Sequence, residues 1–290
     1  MHNLYFSTWR GRLGNIIYVF ACFYYCKQKY NNYNCFIEAD SLIWCGCENT
    51  NLYKYLSNYS FNTNNFSCDI KVNESNCEYQ DQYIGEIINK INNEYGKQNI
   101  FFDDIFFQDS QYILSYKNSL KNIVYTYNES LNKYLDMISL FGVDNCLLMS
   151  VRHGEDYLNA NFYVLNKDYY IDMYNNHFND IKNIFITTDS IEWCKENIKI
   201  PNVNFIYIND LNPIEIITLG FYFKNYICAN STFSSCLELL SNYDDHKAVG
   251  VNNLFRYFRR SKLFSPNTII YDIENDYKQY IENIHILQNE

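Results

Sequence analysis

Apolar residues along this chain gather in short β-rich runs and in longer runs of helical period, and the two kinds alternate. Asn3–Ser7, rich in β-formers, reads as a first strand, and Asn15 to Lys29 as the helix that follows it. Cys35–Glu38 is expected to be the second strand, whereas residues 45–80 are Asn-rich and carry no clear period. Gln82–Tyr95 has helical spacing, with Tyr83, Ile87, Ile88 and Ile91 on one face. Ile100–Phe102 and Ile105–Phe107 read as strand material, and Ser119–Leu140 as one long helix closing the first half.

The second half is more regular. Cys146–Val151 is a continuous apolar run, as in a strand buried on both faces. Lys167–Lys182 reads as a helix with Tyr170, Tyr174, Phe178 and Ile181 in phase, and Asn183–Thr188 as the next strand. Asp189 stands three before Glu192, a helix-start pattern opening Ile191–Asn197. Val203–Ile208 is a further strand, and Pro213 follows Asn212 in the first position of another helix. Tyr226–Ala229 is a strand leading through Ser231 and Thr232 into a helix to Leu240, and His246–Val251 is a last strand.

This order predicts an α/β fold with parallel sheets and right-handed crossovers, whose ligands bind beyond the carboxyl ends of the strands. Those ends are Val151-Arg152-His153, Thr188-Asp189 and Ala229-Asn230-Ser231-Thr232, so three candidate segments share one edge. Phe141-Gly142-Val143 separates the halves, giving residues 1–142 as a first lobe, 143–265 as a second and 266–290 as a C-terminal helical tail.

Composition narrows the function. At 290 residues and 48% hydrophobic, the chain can bury a large core in one domain or two. A net charge of −10 argues against a nucleic-acid binder, which needs a basic footprint. The eleven cysteines include no Cys-x-x-Cys pair and read as reduced, buried thiols rather than a metal site. The start lacks a basic leader, and the apolar stretch Ile16 to Tyr25 is too short to span a bilayer. A soluble, cytoplasmic protein is therefore expected.

Candidate chemistry begins at Arg152-His153-Gly154-Glu155-Asp156. An Arg after a buried strand can grip a phosphate with two prongs, Gly154 allows close backbone approach, and Glu155 and Asp156 place carboxylates nearby. Asn230, Ser231 and Thr232 offer polar groups at a helix start, suited to an anion or to ordinary capping. Gly11-Arg12-Leu13-Gly14-Asn15 joins a strand to a helix, but it has neither the dinucleotide spacing nor the Gly-Lys-Ser/Thr of a P-loop.

In this order the segments resemble glycosyltransferase family 11, the α-1,2-fucosyltransferase type. The family's Gly-Gly-Leu-Gly-Asn-Gln loop is similar to Gly11-Arg12-Leu13-Gly14-Asn15-Ile16, and its aromatic-Phe-Gln-x-x-x-Tyr segment to Phe106-Phe107-Gln108-Asp109-Ser110-Gln111-Tyr112. His-x-Arg-Arg-Gly-Asp corresponds to Ser150-Val151-Arg152-His153-Gly154-Glu155. Phe-Ser-Asp-Asp-Ile-Glu-Trp-Cys-Lys corresponds to Thr187-Thr188-Asp189-Ser190-Ile191-Glu192-Trp193-Cys194-Lys195, and Asn230-Ser231-Thr232-Phe233-Ser234 matches the last motif in full. The family's first His is Ser150 here, its second Arg is His153, and its Trp-Trp pair is Ser235-Cys236.

The resemblance implies a GT-B-like architecture, two Rossmann-like lobes whose parallel sheets face a cleft. It also implies transfer of L-fucose from GDP-fucose to a glycan acceptor with inversion. No Asp-x-Asp follows a strand, while Arg152 and a helix N-terminus are available to hold a diphosphate, so transfer is expected to be metal-independent. Arg152, His153, Asp189, Asn230, Ser231 and Thr232 would bind the donor, and Gly11, Arg12, Gly14 and Asn15 would line the cleft from the first lobe. Arg152 would stabilise the leaving diphosphate, and Glu155 or Asp156 would take the acceptor proton. The departures leave open a non-catalytic glycan- or nucleotide-binding relative, or a transferase of another deoxyhexose.

Overall fold

The computed structural model describes residues 2–8, 12–38, 41–61, 66–73, 84–103, 105, 107–158, 163–251 and 262–271, without the side chains of 41, 44, 156 and 157. The first half opens with β1 (His2–Phe6), α1 (Leu13–Lys29) and β2 (Tyr33–Ile37). It continues through α2 (Ser41–Trp44), α3 (Asn51–Ser57), β3 (Ile70–Asn73), α4 (Ile84–Tyr95) and β4 (Ile100–Asp103). Three helices close it: α5 (Ser110–Ser115), α6 (Lys117–Val124) and α7 (Glu129–Phe141). Its four strands are all parallel, in the order β2-β1-β4-β3.

The second half runs β5 (Cys146–Val151), α8 (Glu155–Leu158), α9 (Lys167–His177), β6 (Asn183–Thr188), α10 (Ile191–Asn197) and β7 (Asn204–Tyr207). It then adds α11 (Pro213–Gly220), β8 (Asn225–Ile227), α12 (Thr232–Leu239), β9 (Lys247–Gly250) and β10 (Ile269–Ile270). Its six parallel strands are ordered β10-β9-β8-β5-β6-β7. With β5 as the first strand, this is the doubly wound order of dinucleotide-binding sheets, and the order reverses between β5 and β8. The α/β expectation, with two parallel sheets, is met.

The long α1 explains how the halves meet. Almost every position from Leu13 to Cys26 is buried, so this helix is wrapped on all sides rather than lying on a surface. One apolar cluster accordingly runs from Leu4 and Phe6 through α1 to Leu148, Phe185, Tyr226 and Leu237 of the second half. The other face of the second sheet carries its own cluster, with Met149, Tyr170, Ile186 and Ile227. β5 is buried at all six positions, as a central strand must be.

Four sequence expectations need correction. Ser119–Leu140 is not one helix, because Tyr125–Asn128 breaks it. There Thr126 N–H donates to Thr218 Oγ1 at 3.1 Å, Asn128 Nδ2 to Glu215 Oε1 at 2.7 Å, and Asn128 caps α7. Tertiary bonds to α11 outweigh the local helical period. Of the expected strand at Ile105–Phe107, the described residues Ile105 and Phe107 lie in no strand, and Phe107 takes a left-handed φ of 47° that turns the chain towards α5. The helix from Lys167 ends at His177, and Tyr174 OH bonds to the Ile181 carbonyl at 2.8 Å, folding the following loop back underneath. Finally, Asp189 does not cap α10; that position is Ser190, and both Asp189 oxygens are engaged elsewhere.

Ile269–Ile270 extends the second sheet beside β9, and residues 272–290, where most of the tail helix is expected, lie outside the described residues. No described helix is long and apolar enough to cross a membrane.

Candidate functional site

The site is built where the carboxyl edges of the two sheets meet. α12 begins just past β8, on one side of the reversal point, and Arg152 follows β5 on the other. Ala229 N–H donates to the Ser150 carbonyl at 3.1 Å, binding the two strand ends together. A buried hydroxyl chain reinforces them: Ser150 Oγ lies 2.7 Å from Ser234 Oγ, which lies 2.9 Å from Ser231 Oγ.

α1 starts against the same place. A β-carbon on Gly14 would fall 2.4 Å from Phe233 N and 2.7 Å from the Thr232 carbonyl carbon, so only glycine permits this approach. Beside it, Asn15 Oδ1 accepts from Thr232 Oγ1 at 2.8 Å and from Gln108 Nε2 at 3.4 Å. Tyr18 OH bonds to Ser235 Oγ at 2.9 Å and to the Leu263 carbonyl. Three of the sequence segments, at 12–16, 107–112 and 230–234, are thus fastened into one junction.

Two helix N-termini therefore converge. Each carries about half a positive charge, and neither α1 nor α12 has an acidic residue in its first turn. No side chain caps α1. On α12, Ser231 Oγ accepts from Ser234 N–H, while the N–H groups of Thr232 and Phe233 meet no acceptor among the described residues. Like helix ends repel, and an anion between them would relieve the repulsion.

Arg152 is partly buried, its side chain 19% exposed, and forms an ion pair through Nη1 with Asp189 Oδ2. Asp189 Oδ1 accepts the His153 backbone N–H at 2.8 Å, so this carboxylate at the end of β6 fixes the turn after β5. The His153 ring stacks on Trp193 of α10, centroids 3.9 Å apart and planes 15° apart. Sequence reasoning reached Trp193 only as part of a motif, and nothing in spacing alone announced its pairing with His153.

The remaining expected residues fall as follows. Asn230 is buried, and its Nδ2 donates to the Tyr163 carbonyl at 2.7 Å, holding the loop before α9. Arg12 is exposed at the N-cap of α1. Glu155 is exposed in the single turn of α8. Gly11 and the side chain of Asp156 lie outside the described residues. No group of three or more His, Cys, Asp or Glu that could hold a metal occurs among the described residues.

No protein-family model matches the chain, and no curated protein matches it by sequence. Among solved structures it is similar to POFUT1 in complex with GDP, at 10% identity and a TM-score of 0.47, over 86% of this chain and 98% of that one. It is also similar to NodZ alpha-1,6-fucosyltransferase soaked with GDP-fucose, at 12% identity and a TM-score of 0.46, over 83% of this chain and 93% of that one. POFUT1 in complex with GDP-fucose aligns at 10% identity and a TM-score of 0.44, over 93% of this chain and 97% of that one.

Proposed function

We propose that this protein is a glycosyltransferase that binds a nucleoside diphosphate sugar at the junction of its two sheets and transfers the sugar to a glycan hydroxyl. The observation that carries the reading is the convergence of two helix N-termini with no acidic residue in either first turn, at the sheet edge where β5 ends ahead of Arg152 and the strand order of the second sheet reverses. That edge is where open parallel sheets hold ligands, and its charge suits a diphosphate. The donor, GDP-fucose, and the α-1,2 linkage formed with inversion follow from the resemblance to family 11.

Bond breaking between the anomeric carbon and the diphosphate passes through an oxocarbenium-like state. Negative charge grows on the leaving oxygen, and fixed donors stabilise it more than the ground state. Arg152, the backbone N–H groups of Thr232 and Phe233, and the α1 dipole supply that stabilisation. The hydroxyls of Ser231 and Thr232 act behind them, holding α12 and α1 in place. Asp189 keeps Arg152 and the His153 backbone in position, and the His153–Trp193 stack offers a flat wall beside the diphosphate. Because protein groups carry the positive charge, turnover is expected to survive EDTA. Loss of activity that magnesium or manganese restored would overturn this point.

The ion pair of Arg152 with Asp189 favours one other reading, in which Arg152 only ties β5 to β6. Calorimetric titration with GDP separates the two. In the donor-site reading, folded Arg152→Ala loses affinity and about 10²–10³ in rate, and Arg152→Lys recovers only part, because an ammonium lacks the two-pronged contact. Unchanged GDP affinity with a lowered melting temperature would remove Arg152 from the site.

A further inference from the structure

A carboxylate of the first sheet stands out for its surroundings. Glu38 follows β2 and is only 4% exposed. Its Oε2 accepts from Ser7 Oγ at 2.9 Å and from Thr8 N–H at 3.1 Å, while Thr8 Oγ1 donates to the Glu38 carbonyl at 2.8 Å. Ser7 and Thr8 are themselves buried. No cation among the described residues pairs with Glu38, and its Oε1 accepts no hydrogen bond from them. A buried carboxylate ordinarily carries a counter-ion or a full set of donors. This one has its orientation fixed through a single oxygen, and its other oxygen accepts from no described residue.

Its place in the fold gives that oxygen a use. Ser7 N–H donates to the Phe102 carbonyl at 3.0 Å, so Glu38, Ser7 and the end of β4 line one edge of the first sheet. Five residues after β4 in the chain, Gln108 bonds Asn15 beside the start of α1, and Asn15 in turn bonds Thr232 of α12. The edge bearing Glu38 is therefore the edge joined to the diphosphate site. Glu155, by contrast, is exposed on the second lobe.

We propose that Glu38 is the general base of the transfer, an inference that rests on the function proposed above. The acceptor hydroxyl oxygen forms a bond to the anomeric carbon as the carbon–oxygen bond to the diphosphate breaks. The bonding pair leaves on the diphosphate, and the hydroxyl proton passes to Glu38 Oε1 and then to solvent. The burial of Glu38 and its hydrogen bonds to Ser7 and Thr8 hold the acceptor of that proton in one orientation, as general-base catalysis requires.

The alternative is that Glu38 merely braces β1 against β2. Glu38→Gln distinguishes them, since the amide oxygen still accepts from Ser7 and Thr8, whereas Glu38→Ala removes the brace as well. The measurements are melting temperature, GDP titration, and GDP release from GDP-fucose with lactose as acceptor between pH 5 and 9. The inference expects Glu38→Gln to melt and bind GDP as the wild type does, while GDP release falls roughly 10²–10⁴-fold. Turnover within about twofold of wild type overturns it, with the expected scale of a base's contribution as the yardstick. So does a loss of activity that tracks a lowered melting temperature. A wild-type protein that binds GDP but releases none from GDP-fucose overturns it too, leaving the donor site standing. A wild-type protein that binds no GDP fails at the earlier step, the proposed function itself.

Discussion

Gly14 shows how far a single residue can be read. Its neighbours in sequence mark it as part of a strand-to-helix loop, but the reason for glycine lies 218 positions away in the backbone of Thr232. Gly14→Ala would drive a methyl group into Phe233 N and the Thr232 carbonyl carbon, both backbone atoms that cannot rotate aside. Overpacking of this kind costs about 1–3 kcal/mol, and separating α1 from α12 should weaken GDP binding in the same variant. Equal stability to wild type in urea unfolding would show that the junction is looser than these distances. Much of the candidate site was legible at this scale, because Arg152, Asp189, Asn15 and Thr232 all stand at strand ends or helix starts. Their mutual partners were not legible. Asp189 looks in sequence like a helix cap and instead clasps Arg152 and His153, and Thr232 looks like a cap and instead holds Asn15. Glu38 gives no signal in the sequence, because a Glu at a strand end is usually solvated, and only its burial shows otherwise.

At the scale of elements, α12 is held by a buried acid–base pair that periodicity cannot reveal. Glu238 is fully buried; its Oε2 lies 2.7 Å from His246 Nε2, and its Oε1 accepts from Ser265 N–H at 2.8 Å. His246 Nδ1 lies 2.8 Å from the Tyr243 carbonyl. Burial works against the charged imidazole, but the hydrogen bond and charge of Glu238, with help from the Tyr243 carbonyl, outweigh it and raise the His246 pKa above 6.5. A raised histidine pKa contributes stability that is full below about 6.5 and is lost as pH rises through the folded-state value. Melting temperature should therefore decline from pH 6 upward in the wild type, and this component of the decline should be missing from His246→Gln. His246→Ala, which strands Glu238, should cost on the order of 3–5 kcal/mol. A wild-type melting temperature rising over the same range would contradict the assignment. The strands and helices of the second half were largely legible because central parallel strands are continuous apolar runs. The first half was less so: β3 and α3 fall in an Asn-rich stretch, and the break between α6 and α7 is imposed by α11.

The whole molecule turns on α1. A helix exposed on one side would let two lobes fold and move separately, but α1 is buried nearly all round, against its own sheet and against α12. The cluster that includes Ile17, Phe20 and Phe23 of α1 continues without a break into Leu148, Phe185, Ile217 and Leu237. Cutting the chain at residue 142 would expose the underside of the second sheet and the inner faces of α11 and α12, a large apolar area with no other cover. A fragment of residues 143–271 is thus expected to be insoluble or to bind hydrophobic dyes, while the intact chain unfolds in a single transition seen alike by far-ultraviolet circular dichroism and by intrinsic fluorescence. The proposed donor site adds a sharper test, because its walls come from both halves: Gly14 and Asn15 from one, Arg152 and α12 from the other. A ligand held there stabilises whatever must be folded to hold it. GDP at about 100 times its dissociation constant should raise the unfolding free energy by about 2.7 kcal/mol and move the one transition as a whole. Two separate transitions, with GDP shifting only that of the second half, would mean that the first half plays no part in holding the donor.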